Sequence, residues 1–276
     1  MKLFIDSAKI TEIQQVLNWG VLGGVTTNPS LIKDAFEEER TKGTMTNLSQ
    51  YLTTLLTACR GLPVSLEVAS TTYEGMVAEG RTLYKQFNRV AKNVLVKIPI
   101  SPSTAPNDSV VMDGLRAIKT LSGEGIPINC TLIFTPEQAL LAARAGAKIV
   151  SPFAGRVDDY IRTQKKIKFQ KKDYFPPDGM TKKGVVLDDN GIVSGIDLVT
   201  QIVALFHLHD IKTEVLAASI RNPRQFREAA LSGAQIATVP FEVIKELVQH
   251  PKSREGVKKF AEDTIMDYRS LLSGAK

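Results

Sequence analysis

Two cysteines, three histidines and one tryptophan are all that this chain of 276 residues holds of those types. Cys59 and Cys130 have no paired spacing, so neither a disulfide framework nor a thiolate zinc site is expected, and a reducing, cytoplasmic setting fits. His207 and His209 fall at a predicted helix end and His250 precedes Pro251, so all three read as surface residues rather than proton carriers. No uncharged run approaches the ~18 apolar residues of a membrane helix. Leu3-Phe4-Ile5, cut off by Asp6, is also too short for a secretory signal, so no membrane role is expected.

Charge of one sign is scarce except in one place. The net charge of +6 comes entirely from residues 161–184, which hold eight basic residues (Arg162, Lys165, Lys166, Lys168, Lys171, Lys172, Lys182 and Lys183) against Asp173 and Asp178. The remaining 27 basic and 27 acidic residues cancel. Such a run reads as a solvated loop, and it lacks the aromatic interleaving of a stacking surface, so no nucleic-acid partner is expected.

What the chain does have is rhythm. Short β-branched runs alternate with amphipathic stretches, the pattern of βα units around a parallel sheet. Eight strands are predicted: Lys2 to Asp6, Val21 to Thr26, Pro63 to Val68, Asn93 to Ile98, Pro127 to Leu132, Lys148 to Pro152, Glu214 to Ser219 and Gln235 to Val239. Helices are predicted over Thr11 to Trp19 and Asp108 to Ser122, the latter capped at Asn107-Asp108, and a third begins at Thr135-Pro136-Glu137. Eight units in a chain near the ~250 residues typical of the fold predict a single (β/α)8 TIM barrel, α/β in class, over 1–276. The rhythm breaks over 160–190, a basic insertion after strand 6 that carries Pro176-Pro177-Asp178-Gly179 and Asp188-Asp189-Asn190-Gly191 turn signals. Its helix resumes at Ser194 to His207. After a last barrel helix over Phe241 to Gln249, an extra C-terminal helix over 253–272 has no strand to cover and is expected to pack on a second copy.

Catalytic groups of such barrels gather at the carboxyl ends of the strands. Here those ends carry Asp6, Thr27 and Asn28, Glu67, Lys97, Asn129 with Thr131, Ser151 with Phe153, and Ser219 with Arg221. With side chains alternating at a period of two, each of the last three pairs is expected to share a face. Lys97 ends the strand Asn93-Val94-Leu95-Val96-Lys97-Ile98-Pro99, where apolar neighbours are expected around one amine. An unprotonated amine there is a nucleophile for a ketone, and the resulting iminium is an electron sink for carbon–carbon cleavage. Such chemistry needs groups to move protons, and Glu67 and Asp6 are available.

Five segments resemble transaldolase motifs: Gly24-Val25-Thr26-Thr27-Asn28-Pro29-Ser30-Leu31, Val96-Lys97-Ile98-Pro99, Thr131-Leu132-Ile133-Phe134, Ser151-Pro152-Phe153-Ala154-Gly155-Arg156 and Ala217-Ala218-Ser219-Ile220-Arg221. They occur in order within a match that runs from Met1 to about Phe260, interrupted mainly by the insertion, and are most similar to the short transaldolase branch, which also contains the fructose-6-phosphate aldolases. The resemblance implies that Lys97 forms the Schiff base, that Asp6 acts on the C4 hydroxyl, and that Glu67 and Thr131 hold the catalytic water. It assigns Asn28, Asn129 and Ser151, with Thr27 nearby, to the dihydroxyacetone unit, and Arg156, Ser219 and Arg221 to the phosphate. It also implies that Phe153 lines the site and helps to shield the carbanionic intermediate from stray protons. Sugar phosphates are the implied partners, a homo-oligomer such as a ring-shaped decamer the implied assembly, and no metal or organic cofactor is called for. Glu67 and Phe153 stand where members resembling fructose-6-phosphate aldolase carry glutamine and tyrosine, which points to transaldolase. The alternatives are aldolase release of free dihydroxyacetone, and a noncatalytic barrel that binds sugar phosphate or nucleic acid through its insert. The segments Ser101 to Asp108 and Tyr160 to Asn190 follow strands 4 and 6, and are expected to hang near the mouth.

Overall fold

The computed structural model describes residues 1–105 and 108–274. Its elements run β1 (Lys2–Asp6), α1 (Ile10–Asn18), β2 (Gly24–Thr26), α2 (Pro29–Thr41), α3 (Leu48–Ala58), β3 (Val64–Glu67), α4 (Tyr73–Ala91), β4 (Val94–Pro99) and α5 (Asp113–Gly123). There follow β5 (Ile128–Ile133), α6 (Pro136–Arg144), β6 (Ile149–Pro152), α7 (Ala154–Gln164), the short strands β7 (Thr181–Lys182) and β8 (Val185–Val186), and α8 (Gly195–Leu208). The chain closes with β9 (Glu214–Ala217), α9 (Pro223–Leu231), β10 (Ile236–Val239), α10 (Phe241–Glu246), α11 (Pro251–Glu262) and α12 (Met266–Leu272). Eight strands form a closed parallel barrel in the order β1-β10-β9-β6-β5-β4-β3-β2, as the βα rhythm predicts.

The barrel interior is built in two layers, because a strand presents every second side chain to the same face. Phe4, Leu95, Ile149, Leu216 and Ile236 make a buried apolar floor, separate from the larger core between sheet and helices. Two positions further along their strands stand Asp6, Lys97, Ser151 and Thr238, a polar layer above an apolar one. The floor is tightly filled: a Cβ at Gly24 would overlap the Phe4 ring. Water therefore reaches the polar layer only from the carboxyl ends of the strands, which is where the loops form a mouth.

Helix starts follow local chemistry. Asn28, Asn47, Thr72, Thr135, Ser194 and Asn222 each cap a helix by accepting a backbone N–H, and Pro29, Pro136 and Pro223 occupy first-turn positions. The expected helix from Asp108 begins only at Asp113. Asp108 instead accepts Val110 N–H in a turn, and Asn107, its proposed cap partner, lies outside the described residues.

Three further boundaries differ from the sequence reading. The strand expected from Val21 starts at Gly24, since residues 21–23 follow the positive-φ turn at Gly20 before pairing begins. The insertion does not begin at Tyr160: α7 runs on to Gln164 with Val157 and Ile161 buried, so the extra sequence joins α7 to α8 instead of joining strand to helix. Both of its turn signals are real, with Gly179 N–H donating to Pro176 O and Asn190-Gly191 both at positive φ. The C-terminal helix over 253–272 is two helices, α11 and α12, separated by Asp263–Ile265, and neither buries a residue. The insert is mostly exposed, and its aromatic residues do not form a stacking surface. Phe169 and Phe175 lie against the Arg162 guanidinium and Tyr174 against that of Arg224, so its three rings are taken up internally. Among the described residues no helix is long and apolar enough to cross a membrane.

Candidate active site

The mouth holds a cavity of about 550 Å³ that reaches the polar layer. Asp6, Asn28, Lys97, Ser151, Phe153, Arg156, Ser219 and Arg221, named from sequence, all line it. Thr27, Glu67, Asn129 and Thr131 do not line it. They stand behind those that do.

Lys97 is 5% exposed, in the middle of β4 rather than at its end. Its neighbours are not only apolar. The strand register sets Glu67 beside it on β3, with the Glu67 carboxylate 3.0 Å from the Lys97 amine, and the amine also donates to the Thr27 carbonyl at 3.0 Å. An ammonium buried here without such oxygens would be strongly disfavoured. Thr27 thus contributes through its backbone, while its hydroxyl donates to Ser65 O at 2.7 Å.

On the other flank, Asn129 is the register partner of Lys97 and is fully buried. It accepts from the Ser151 hydroxyl at 2.7 Å and donates to the Ser65 hydroxyl at 3.1 Å. Ser65, which the sequence reading missed, completes a chain of hydroxyl and amide across β3, β5 and β6. Thr131 Oγ1 is buried and finds no protein partner among the described residues, so it retains capacity for one hydrogen bond. Asn28 uses its side-chain oxygen to cap α2 through Leu31 N–H at 2.9 Å, leaving its amide nitrogen available to a ligand.

Asp6 ends β1 and accepts from the Thr26 hydroxyl at 2.7 Å, which in turn shares a hydrogen bond with Thr238. Burial pushes the Asp6 carboxyl above its ordinary value, against the pull of Lys97, the Thr26 hydroxyl, Arg156 and Arg221. A carboxyl so placed suits proton transfer, because it both takes and returns a proton readily. Thr26 and Thr238 gave no sequence signal beyond being β-branched, since their role follows from which strands close the barrel.

The far end of the cavity is cationic. Arg156 lies on the first turn of α7 with its guanidinium 5.0 Å from the centre of the Phe153 ring. Arg221 donates to Asp159 at 3.0 Å, and its Nε is buried without a partner among the described residues. The alternation argument does not place Arg156, Ser219 and Arg221, because α7 begins at Ala154 and β9 ends at Ala217, whereas Phe153 bridges Ala218 one residue past β6 and lines the cavity with Ser151. Of the three shared-face pairs, only Asn129 with Thr131 lies within one strand. Ser219 sits at φ 62, in the left-handed region, so a turn rather than pleat sets its direction. Beneath it Gly155 leaves room for the Ser219 carbonyl and the Arg221 side chain, where a Cβ would collide with both.

A buried carboxylate supports this end. Asp158 accepts from Gly195 N–H at 2.7 Å and from the Gln225 amide at 2.8 Å, while Gln225 accepts from Arg221 N–H at 2.8 Å. Burial raises Asp158 to about 7, opposed by the Gly195 hydrogen bond and Arg162. This network ties α7, α8 and α9 to the backbone of Arg221. Nothing in the sequence distinguished Asp158 from the exposed carboxylates around it, and the same holds for Asp159.

An amine and a carboxyl face one cavity at the carboxyl end of a (β/α)8 barrel, with guanidinium groups at its far end, which is where enzymes of this fold carry their active sites. Residues 3–271 match the transaldolase/fructose-6-phosphate aldolase family. The chain is similar to proteins named probable transaldolase from Thermoplasma acidophilum (42% identical, 95% of each chain covered), Thermus thermophilus (41%, 95% of this chain and 97% of that one) and Clostridium perfringens strain 13 (40%, 95% and 97%). It belongs to the transaldolase/fructose-6-phosphate aldolase family and is an enzyme of the transaldolase class.

Proposed function

We propose that the chain transfers a dihydroxyacetone unit from sedoheptulose 7-phosphate to glyceraldehyde 3-phosphate, yielding erythrose 4-phosphate and fructose 6-phosphate. The observation that carries this reading is the buried Lys97 amine, held between Glu67 and the Thr27 carbonyl in a cavity that Asp6 also lines. Lys97 passes a proton to Glu67 and attacks C2 of the ketose, and the carbinolamine loses water as the iminium forms. Thr131, with its spare hydrogen-bonding capacity, holds that water together with Glu67. Asp6 then takes the proton of the C4 hydroxyl, the C3–C4 bond breaks, and its electrons are stored as an enamine. After the first aldehyde leaves, C3 attacks the acceptor carbonyl and Asp6 returns its proton to the new alkoxide. Ser151, Asn129 and Asn28 hydrogen-bond the three-carbon unit, while Arg156, Arg221 and Ser219 take the phosphate, for which guanidinium geometry is suited. No metal or organic cofactor takes part in this scheme.

Phe153 favours transfer over release. Lying in the cavity wall against Phe134 and the Arg156 guanidinium, it offers no hydroxyl to bring a proton to C3 of the enamine. The aldolase alternative requires such a proton. Borohydride reduction in the presence of fructose 6-phosphate tests the nucleophile: mass spectrometry should find one covalent adduct on Lys97, absent in Lys97→Met. Label on another residue, or none, removes the imine reading. Accumulation of free dihydroxyacetone without an acceptor favours the aldolase.

A further inference from the structure

We infer that Lys171 is a third cationic contact for the substrate phosphate, a specificity-determining residue that the insert delivers to the far end of the cavity. The inference rests on the sugar-phosphate reading above and concerns a residue outside the barrel motifs.

Lys171 lines the same cavity as Arg156, Ser219 and Arg221. Its position is held by the folding of the insert on α7. Arg162, 3% exposed, donates to the carbonyls of Asp173 (3.0 Å) and Tyr174 (2.7 Å), with the rings of Phe169 and Phe175 within 5.0 Å of its guanidinium. Between these anchors a turn closes, with Asp173 accepting Gln170 N–H at 2.7 Å and Asp173 N–H donating to Gln170 O at 2.9 Å. Lys171 sits within that turn. Beyond it, Tyr174 donates to Glu228 at 2.9 Å, fastening the segment to α9. A lysine on a loop tied to two barrel helices has a defined place, unlike a lysine on a solvated tether.

Charge counting at the cavity favours a contact over a general field. Arg221 already carries an acidic partner, Asp159, so one of the two guanidinium charges is offset before substrate arrives. A phosphate monoester carries about −1.5 to −2 at neutral pH, more than Arg156 alone neutralises. Two other lysines of the insert are engaged elsewhere: Lys172 pairs with Glu246 at 3.4 Å and Lys182 donates to Lys165 O at 2.9 Å. Lys171 lines the cavity and has no ion pair or hydrogen bond of its side chain among the described residues, so no protein acceptor competes with a ligand for it.

The test compares Lys171→Gln with Lys183→Gln, a charge removed from the same insert but outside the cavity. Titration calorimetry with inorganic phosphate should show affinity reduced about fivefold in Lys171→Gln, the weight of one partly exposed ion pair, and unchanged in Lys183→Gln. With phosphorylated acceptor, Lys171→Gln should raise KM by a similar factor with kcat nearly constant. With unphosphorylated glyceraldehyde, both assays being run at saturating donor, it should match wild type. Equal losses in both variants would mean a diffuse field, and equal losses with both acceptors a distorted cavity; either outcome overturns the inference, as does undiminished phosphate binding. Imine trapping separates the two readings. A wild type that binds phosphate through Lys171 but never traps on Lys97 keeps this contact and loses the proposed reaction.

Discussion

The Glu67 carboxylate lies 3.0 Å from the Lys97 amine because β3 and β4 pair these two residues side by side at the barrel mouth. The pair supplies a proton path as well as a charge partner. Glu67→Gln keeps size and one acceptor oxygen but cannot take a proton. The expected outcome is a loss of about 10²-fold or more in kcat, with the Lys97 adduct still trapped by borohydride after longer incubation. Stopped-flow measurement of imine formation checks it, and an unaltered rate would remove Glu67 from proton transfer.

Asp6 predicts a pH dependence. Its carboxyl titrates above the ordinary value of 3.8 because burial outweighs the nearby cations. The folded protein therefore holds this proton at pH values where the unfolded chain has released it. The associated stability is full below 3.8 and is lost as pH rises through the folded value. Asp6→Asn should accordingly unfold at a higher temperature than wild type at neutral pH, with the gain shrinking toward acid, while cleavage activity is lost. Thermal unfolding at several pH values measures this. In wild type the acid limb of kcat should lie above the usual carboxylate range.

Gly195 lets α8 start against the first residue of α7, where a Cβ would collide with the Ala154 carbonyl. Gly195→Ala should cost ~2–3 kcal/mol, read from urea midpoints, because backbone on both sides has to move. The Gly195 N–H bond to Asp158 would lengthen with it, and KM for phosphorylated substrates should rise. Gly123→Ala, with open space at its Cβ, serves as the control.

Arg162 is buried and has no acidic partner in contact among the described residues, its guanidinium meeting two carbonyls and two aromatic rings. Arg162→Leu leaves those carbonyls unpaired and frees the segment 165–175. Trypsin should then cut at Lys165 to Lys172 far faster than in wild type, with a stability loss of ~2–3 kcal/mol. Equal cleavage rates would mean that the clamp does not order the insert.

The two C-terminal helices bury nothing, and Val257, Phe260, Leu271 and Leu272 are each more than two-thirds exposed. Such apolar surface is uncommon on a monomer. The expected outcome is that the chain sediments as a homo-oligomer, and that removing residues 251–276 lowers its mass to smaller species. A monomer before and after deletion would dismiss the idea.

The architecture and most of the mouth were legible early. Seven of the eight strand starts, each to within one residue, the strand-end residues Asp6 and Glu67, and Lys97 within its strand follow from alternation of short-range patterns, which the chain carries locally. Helix and insert boundaries were less legible. Residues 160–164 are polar enough to resemble loop, yet Ile161 and Arg162 are buried because a neighbouring element covers them.

The amino-acid order alone determined the βα repeat, the polar strand ends and the motif set, since each depends on residues a few positions apart. Tertiary structure decided which of them meet: Glu67 with Lys97, Asp6 with Thr26 and Thr238, Asp159 with Arg221, and Arg162 under the insert that carries Lys171. Those meetings depend on strand register, barrel closure and loops folding back across the mouth. Such relations join residues far apart in the chain, where burial and hydrogen-bond satisfaction of the whole molecule, rather than local preference, select one arrangement.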